Sequence, residues 1–235
     1  MKKIAVCLKP QPTACINGYS IWRHFPFGIT GIKTLNYAFT LKSKYSVELI
    51  AFVMAPKKYY NIISNLTSFG FSKIVYISDP LIAGADSLGT ARILAEAIKK
   101  YNCSIIITGK ASEDSSTAQV PVQLAMATGT QYITETNIES GFLINTENIV
   151  VAVENNYSEI FPSLFVIQNG SEADMELITL QDLNLEHSDL KYTKVVYIQN
   201  SELNESSESV TSMTPDEAAN FIQEIICIEV KNNGE

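Results

Sequence analysis

"SIIITGKASEDSSTAQVPVQLA", residues 104–125, joins a short apolar run to a helix-like stretch through a loop crowded with small polar side chains. Three successive isoleucines, Ile105–Ile107, suit a buried strand. The stretch beyond the loop reads as a helix that stops near Gly129. Strand, loop and helix in that order form the unit of a parallel α/β sheet, and such sheets bind ligands beyond the carboxyl ends of their strands. Two readings of Ser112, Asp114, Ser115, Ser116 and Thr117 stay open. A serine or threonine can simply cap the helix. Alternatively the loop hydroxyls, the free backbone N–H groups and the positive end of the helix dipole together hold a phosphate. No Walker or G-x-G-x-x-G pattern occurs. Pro121 cannot donate a backbone N–H, so the sequence leaves the first residue of the helix open.

Working outward, strands and helices alternate over residues 1–129. Lys3–Leu8 reads as a strand. Ile32, Leu35 and Phe39 mark a helix over about 31–44, Val47–Val53 a strand, Pro56–Phe69 a helix with Gly70 as its stop, and Lys73–Ile77 a strand. Asp86–Tyr101 is the clearest helix: Leu88, Ala91, Ile93, Leu94, Ala97 and Ile98 form its packed face, and Asp86 or Ser87 can cap it. Gln131–Glu139, Phe142–Val153 and Ile160–Ile167 look like consecutive strands, with Glu139-Ser-Gly141 as a turn. The expectation is a doubly wound, mostly parallel α/β sheet of Rossmann-like, adenine-nucleotide-binding type, with antiparallel strands added at one edge.

Composition narrows the function classes. The chain has 235 residues, 46% of them apolar, enough for one substantial domain and an appendage. Its net charge of −8 argues against a general nucleic-acid or acidic-membrane binder. The apolar run Ile4–Leu8 is too short for a signal peptide, and no stretch approaches the roughly 18 apolar residues of a membrane span. A soluble, cytoplasmic protein is expected. Cys7, Cys15, Cys103 and Cys227 form no C-x-x-C pair, and only His24 and His187 could join them, which argues against a metal centre. No Cys/His pair and no G-x-S-x-G suggests a hydrolytic enzyme.

Residues 199–213 are polar and of low complexity, a flexible linker by composition. Thr214-Pro-Asp-Glu217 then forms a capping box before the apolar stripe Ala218, Phe221, Ile222 and Ile225. The expected organisation is an α/β domain over 1–185 and a C-terminal arm over 186–235.

Several segments together resemble the beta subunit of electron-transfer flavoproteins. They are Ile4-Ala-Val-Cys-Leu-Lys9, Val75-Tyr-Ile-Ser-Asp-Pro80, Ala83-Gly-Ala-Asp-Ser-Leu-Gly-Thr-Ala91 and Asp114-Ser-Ser-Thr-Ala-Gln-Val120. The third is similar to the family's Gly-Ala-Asp-Thr-Leu-Ala-Thr-Ala segment and the fourth to its Asp-Gly-Asp-Thr-Ala/Gly-Gln-Val nucleotide loop. Their order and spacing agree over roughly residues 1–185, and the helix Thr214–Ile226 resembles the family's terminal arm.

The resemblance implies a heterodimer with an alpha subunit that holds most of an FAD. Electrons would pass between flavin dehydrogenases and a downstream acceptor, so the chain would be a carrier subunit and not a catalyst. This subunit would bind AMP, or a second FAD. Carried over by position, phosphates would meet Ser115, Ser116 and Thr117 with Asp114 behind them. Cys7 and Met54 would line the adenosine pocket, and Ser87 and Thr90 would lie towards a second flavin. The sequence departs from the family at Phe25-Pro-Phe-Gly28, where Asn and Asp side chains are replaced, and at Val151-Ala-Val-Glu-Asn-Asn156, in place of Arg-x-x-Glu-Gly-Gly. The long segment that includes the dehydrogenase-gripping loop is largely deleted between Pro162 and Leu180. An adenine-nucleotide sensor, or a structural subunit without redox work, is the alternative.

Overall fold

The computed structural model describes residues 1–10, 27–112, 116–134, 146, 148–154, 173–186 and 190. All of them lie within one unit, Met1–Lys194. The strands are β1 (Lys2–Leu8), β2 (Val47–Met54), β3 (Lys73–Ile77), β4 (Ile105–Gly109), β5 (Gln131–Thr134), β6 (Ile149–Val153) and β7 (Asp174–Ile178). The helices are α1 (Ile29–Lys44), α2 (Tyr60–Ile63), α3 (Ser87–Lys100) and α4 (Gln119–Thr128). The described strands form one sheet in the order β5-β6-β4-β1-β2-β3-β7.

Side-chain alternation places two cores on the two faces. Along β1, Ile4, Val6 and Leu8 face the core built with Leu35, Ala38 and Phe39 of α1 and with Ile63 and Leu66. Ala5 and Cys7 face the other core, built with Ala91, Leu94 and Ile98 of α3 and with Leu124 and Ala125 of α4. Strands buried on both faces read as continuous apolar runs, which is why β1, β2 and β4 were legible. The chain winds from β1 through β2 to β3 on one side, then crosses to β4 on the other side of β1. The winding direction therefore reverses between β1 and β4, where Cys7 pairs with Phe52 on one flank and with Thr108 on the other.

Antiparallel edge strands do not occur among the described residues. β5 pairs parallel with β6, and β7 pairs parallel with β3. Parallel neighbours need a crossover of about a dozen residues, and the interval between Thr134 and Ile149 is long enough for one. The Glu139-Ser-Gly141 turn, the Ile160–Ile167 strand, the linker and the C-terminal helix all lie outside the described residues.

The helix expected over Pro56–Phe69 is broken. A 3-10 turn over Lys57–Tyr59, a single α turn and a second 3-10 stretch over Ser64–Phe69 replace it. The hydroxyls explain the tightening. Ser64, Thr67 and Ser68 each donate to the carbonyl three residues back, those of Asn61, Ser64 and Asn65, at 2.7, 2.8 and 3.0 Å. Such local bonds compete with the regular ladder. Gly70 closes the segment at φ 90°, as its position suggests.

The sequence carries no clear signal for β7, because the apolar pattern fades there: of its five residues only Ile178 is buried. It is held by register against β3 and by Lys73, whose Nζ reaches Asp174 at 3.1 Å and Glu176 at 2.9 Å. Leu180, Leu183, Leu185 and Leu190 continue the core on the α3 side.

Candidate functional site

At the reversal between β1 and β4 a cleft of about 510 Å³ opens above the carboxyl ends of β1, β2 and β4. Such a volume is ordinary for a small-molecule site, roughly 300–1,000 Å³. Residues from the first turns of α1, α3 and α4 line it, among them Gly31, Ser87 and Gln119.

The three helix starts differ in their capping. At α3, Asp86 is the N-cap and its Oδ1 accepts the Gly89 N–H at 2.7 Å. Among the described residues no side chain caps α1, whose N-cap is Gly28, or α4, whose N-cap is Ala118. Neither Ser116 nor Thr117 is therefore the N-cap of α4. Pro121 sits in the first turn of α4, where its missing N–H is no loss. The positive dipole ends of these helices favour an anion in the cleft.

The loop before α4 has an unusual backbone. Ser116 and Ala118 adopt φ of 49° and 53°, the left-handed region that non-glycine residues seldom occupy. Thr117 stands between them and lines the cleft. Ser116 does not: its N–H and hydroxyl both go to the Ser112 carbonyl, at 2.8 and 3.2 Å, and hold the loop closed. Asp114 and Ser115 lie outside the described residues.

The other residues implied by the resemblance converge on this cleft. Cys7, Met54, Ser87 and Thr90 line it together with Thr117. Burial pushes the Cys7 thiol far above its ordinary range. Cys7 thus forms a neutral wall, not a nucleophile. The Ser87 hydroxyl donates to Gln119 Oε1 at 2.8 Å, across from α3 to α4.

Sequence reading missed the contribution of α1 and the cationic rim. Thr30, Gly31 and Thr34 of α1 form one wall. Gly109, at the end of β4, lies so close to Thr30 that a Cβ would fall 2.2 Å from the Thr30 Cγ2. A glycine directly after an apolar strand is the signal for such an approach. Lys9 and Lys110 also line the cleft, and Lys110 is ion-paired with Glu154. Phe27 is fully buried in the α1-side core instead of reaching the cleft. The departure from the family at Phe25–Gly28 thus leaves α1 without a polar side-chain cap.

A doubly wound parallel sheet with a cleft at its reversal point, lined by the first turns of α1, α3 and α4, defines the class of Rossmann-like α/β domains. Comparison with known proteins sharpens this class. The family model "Electron transfer flavoprotein domain" matches residues 32–154, just over half of the chain. The electron transfer flavoprotein subunit beta of Thermoanaerobacterium thermosaccharolyticum is 23% identical over 213 residues, covering 81% of this chain and 82% of that one. The same subunit of Clostridium acetobutylicum is 29% identical over 139 residues, covering 56% and 54%. Protein FixA of Azotobacter vinelandii is 31% identical over 104 residues, covering 43% and 37%. The chain belongs to the electron transfer flavoprotein family, as a member of beta-subunit type.

Proposed function

We propose that this chain is the beta-type half of a two-subunit electron-transfer flavoprotein, and that its cleft takes the phosphate end of an adenine nucleotide. Electron transfer as a beta subunit follows from family membership and from the names of the relatives. The single observation behind the ligand reading is the uncapped start of α4 beside Thr117. Backbone donors, a hydroxyl and the lysines at Lys9 and Lys110 make a donor set suited to phosphate. The apolar wall of Cys7, Phe52 and Met54 suits an adenine ring.

The nucleotide is AMP or a second FAD, while the alpha subunit holds most of the first FAD. A bound flavin supplies the one- and two-electron chemistry, and the protein supplies binding and orientation. The residues of this chain anchor phosphate through Thr117 and the first turn of α4, and they exclude water from one face of the ring with the β1 and β2 side chains. The stripe Ala218, Phe221, Ile222 and Ile225 docks on the alpha subunit. The complex works in the cytoplasm with a flavin dehydrogenase. Among the described residues no helix is long and apolar enough to cross a membrane.

Co-expression with a flavin-bearing alpha subunit tests this reading. The expected result is an equimolar complex with the visible absorption of bound flavin. A beta chain that purifies folded and alone from that co-expression would overturn it.

A further inference from the structure

We propose that Thr108 reads the sugar of the bound nucleotide: its hydroxyl bonds a ribose hydroxyl, so the cleft prefers a ribonucleotide to one whose sugar lacks those groups. The proposal rests on the nucleotide reading of the cleft. Partners in a parallel register point to the same face of the sheet. Thr108, Cys7 and Phe52 are such partners across β4, β1 and β2, and all three line the cleft. Cys7 and Phe52 belong to the core on the α3 side, and Met54, two residues beyond Phe52, packs against it. Lys110, two residues beyond Thr108, also lines the cleft, as does Thr117 before α4. The floor is thus apolar over β2 and β1 and polar at β4. Neighbouring strands lie about 4.8 Å apart, so β2 and β4 are separated by roughly 10 Å. A nucleotide lying across the strands meets this gradient with its ring over Phe52 and its phosphate beside Thr117. Its sugar then falls between them, next to Thr108.

Burial makes this hydroxyl consequential. Thr108 is only 7% exposed. Among the described residues its one hydrogen bond runs to the carbonyl of the next residue, Gly109, at 3.3 Å, long for an O–H···O bond. A buried hydroxyl costs free energy unless it is well bonded. Strand geometry asks for a β-branched side chain, which valine supplies without that cost. The hydroxyl, and not the shape, is therefore what the fold leaves unused. A ribose hydroxyl can donate or accept, as can that of threonine, so the pairing holds whichever way either proton turns.

Calorimetric titration of the full-length chain tests this with three probes: AMP, the dideoxy form of AMP that lacks both ribose hydroxyls, and adenosine. The chains compared are the parent, Thr108→Val and Thr108→Ser. Loss of one neutral hydrogen bond corresponds to about a 3- to 10-fold weakening. The parent should favour AMP over the dideoxy nucleotide by about that factor. Thr108→Val should weaken AMP to the same degree and leave the dideoxy nucleotide unchanged, whereas Thr108→Ser should keep the parent preference. Thr108→Val with the parent AMP affinity would overturn the proposal. So would equal losses for the two nucleotides, or a parent chain that does not distinguish them. A parent chain that binds AMP no better than adenosine would instead remove the phosphate reading, which orients the ligand, and this proposal with it.

Discussion

Gly109→Ala places one methyl group where the sheet and α1 meet at the cleft. The added Cβ would lie 2.2 Å from Thr30 Cγ2 and 3.4 Å from Thr34 Oγ1. The first distance falls more than an ångström short of ordinary contact. Thr30 is 7% exposed and Thr34 fully buried, so the only relief for the Thr30 methyl lies towards the cleft that both residues line. Thr34 is further fixed by its hydroxyl, which donates to the Thr30 carbonyl at 2.8 Å. Either Thr30 turns into the cleft or α1 shifts, and overpacking of this kind costs roughly 1–3 kcal/mol. At about 2 kcal/mol, a domain of this size loses roughly 4–8 °C in Tm. Either adjustment disturbs the α1 wall of the cleft, so nucleotide affinity should fall with stability. Thr30→Ser deletes only the clashing methyl and should recover most of both losses in the double variant. Thermal unfolding followed by circular dichroism reads the effect. Gly109→Ala melting like the parent, or a loss that Thr30→Ser fails to rescue, would refute the reasoning.

Thr117→Val keeps the shape of the loop and deletes one hydroxyl. AMP affinity should fall by about 0.5–1.5 kcal/mol for a neutral bond, or up to ~3 for a charge-assisted one, with adenosine unaffected. The hydrogen bond from Lys73 holds the Glu176 carboxyl below its ordinary range. A depressed carboxylate pKa contributes stability above its unfolded value and loses it as pH falls through the folded one. An NMR pH titration should show Glu176 titrating low, and Lys73→Met should move it up. Burial raises the Cys7 thiol and pushes Cys103 up to about 12. In a Cys15→Ser/Cys227→Ser background, both should resist alkylation at mildly alkaline pH until the chain is unfolded, as mass spectrometry would show.

What could be read from the sequence divides by physical cause. Central strands buried on both faces announce themselves as apolar runs, and β1, β2 and β4 did so. Gly70 and Gly129 stop their segments with φ of 90° and 67°, because only a residue without Cβ takes that conformation at no cost. Asp86 caps α3 as its position suggests. Leu88 is different: it fits the helical stripe but is 38% exposed, whereas Gly89, the next residue, is buried against the Leu190 carbonyl. Periodicity reports which side of a helix is apolar, not where the neighbouring layer ends. Edge pairing escapes the sequence for a related reason. Alternation within β5 says nothing of strand direction, which the length of the connection decides. The cleft itself was half legible. The loop around Thr117 is local in sequence and carries its own signal, whereas Thr30, Gly31 and Thr34 reach the site only because Gly109 lets α1 approach β4. That approach is a tertiary fact with a one-residue trace.

Side-by-side calorimetry of the full-length chain with AMP and with adenosine tests the central claim most directly. The account places the binding free energy on phosphate, through the uncapped start of α4 and the hydroxyl of Thr117. AMP should therefore bind at least tenfold more tightly than adenosine, about 1.4 kcal/mol, and the difference should shrink as salt is raised. Adenosine binding as tightly as AMP would contradict the account.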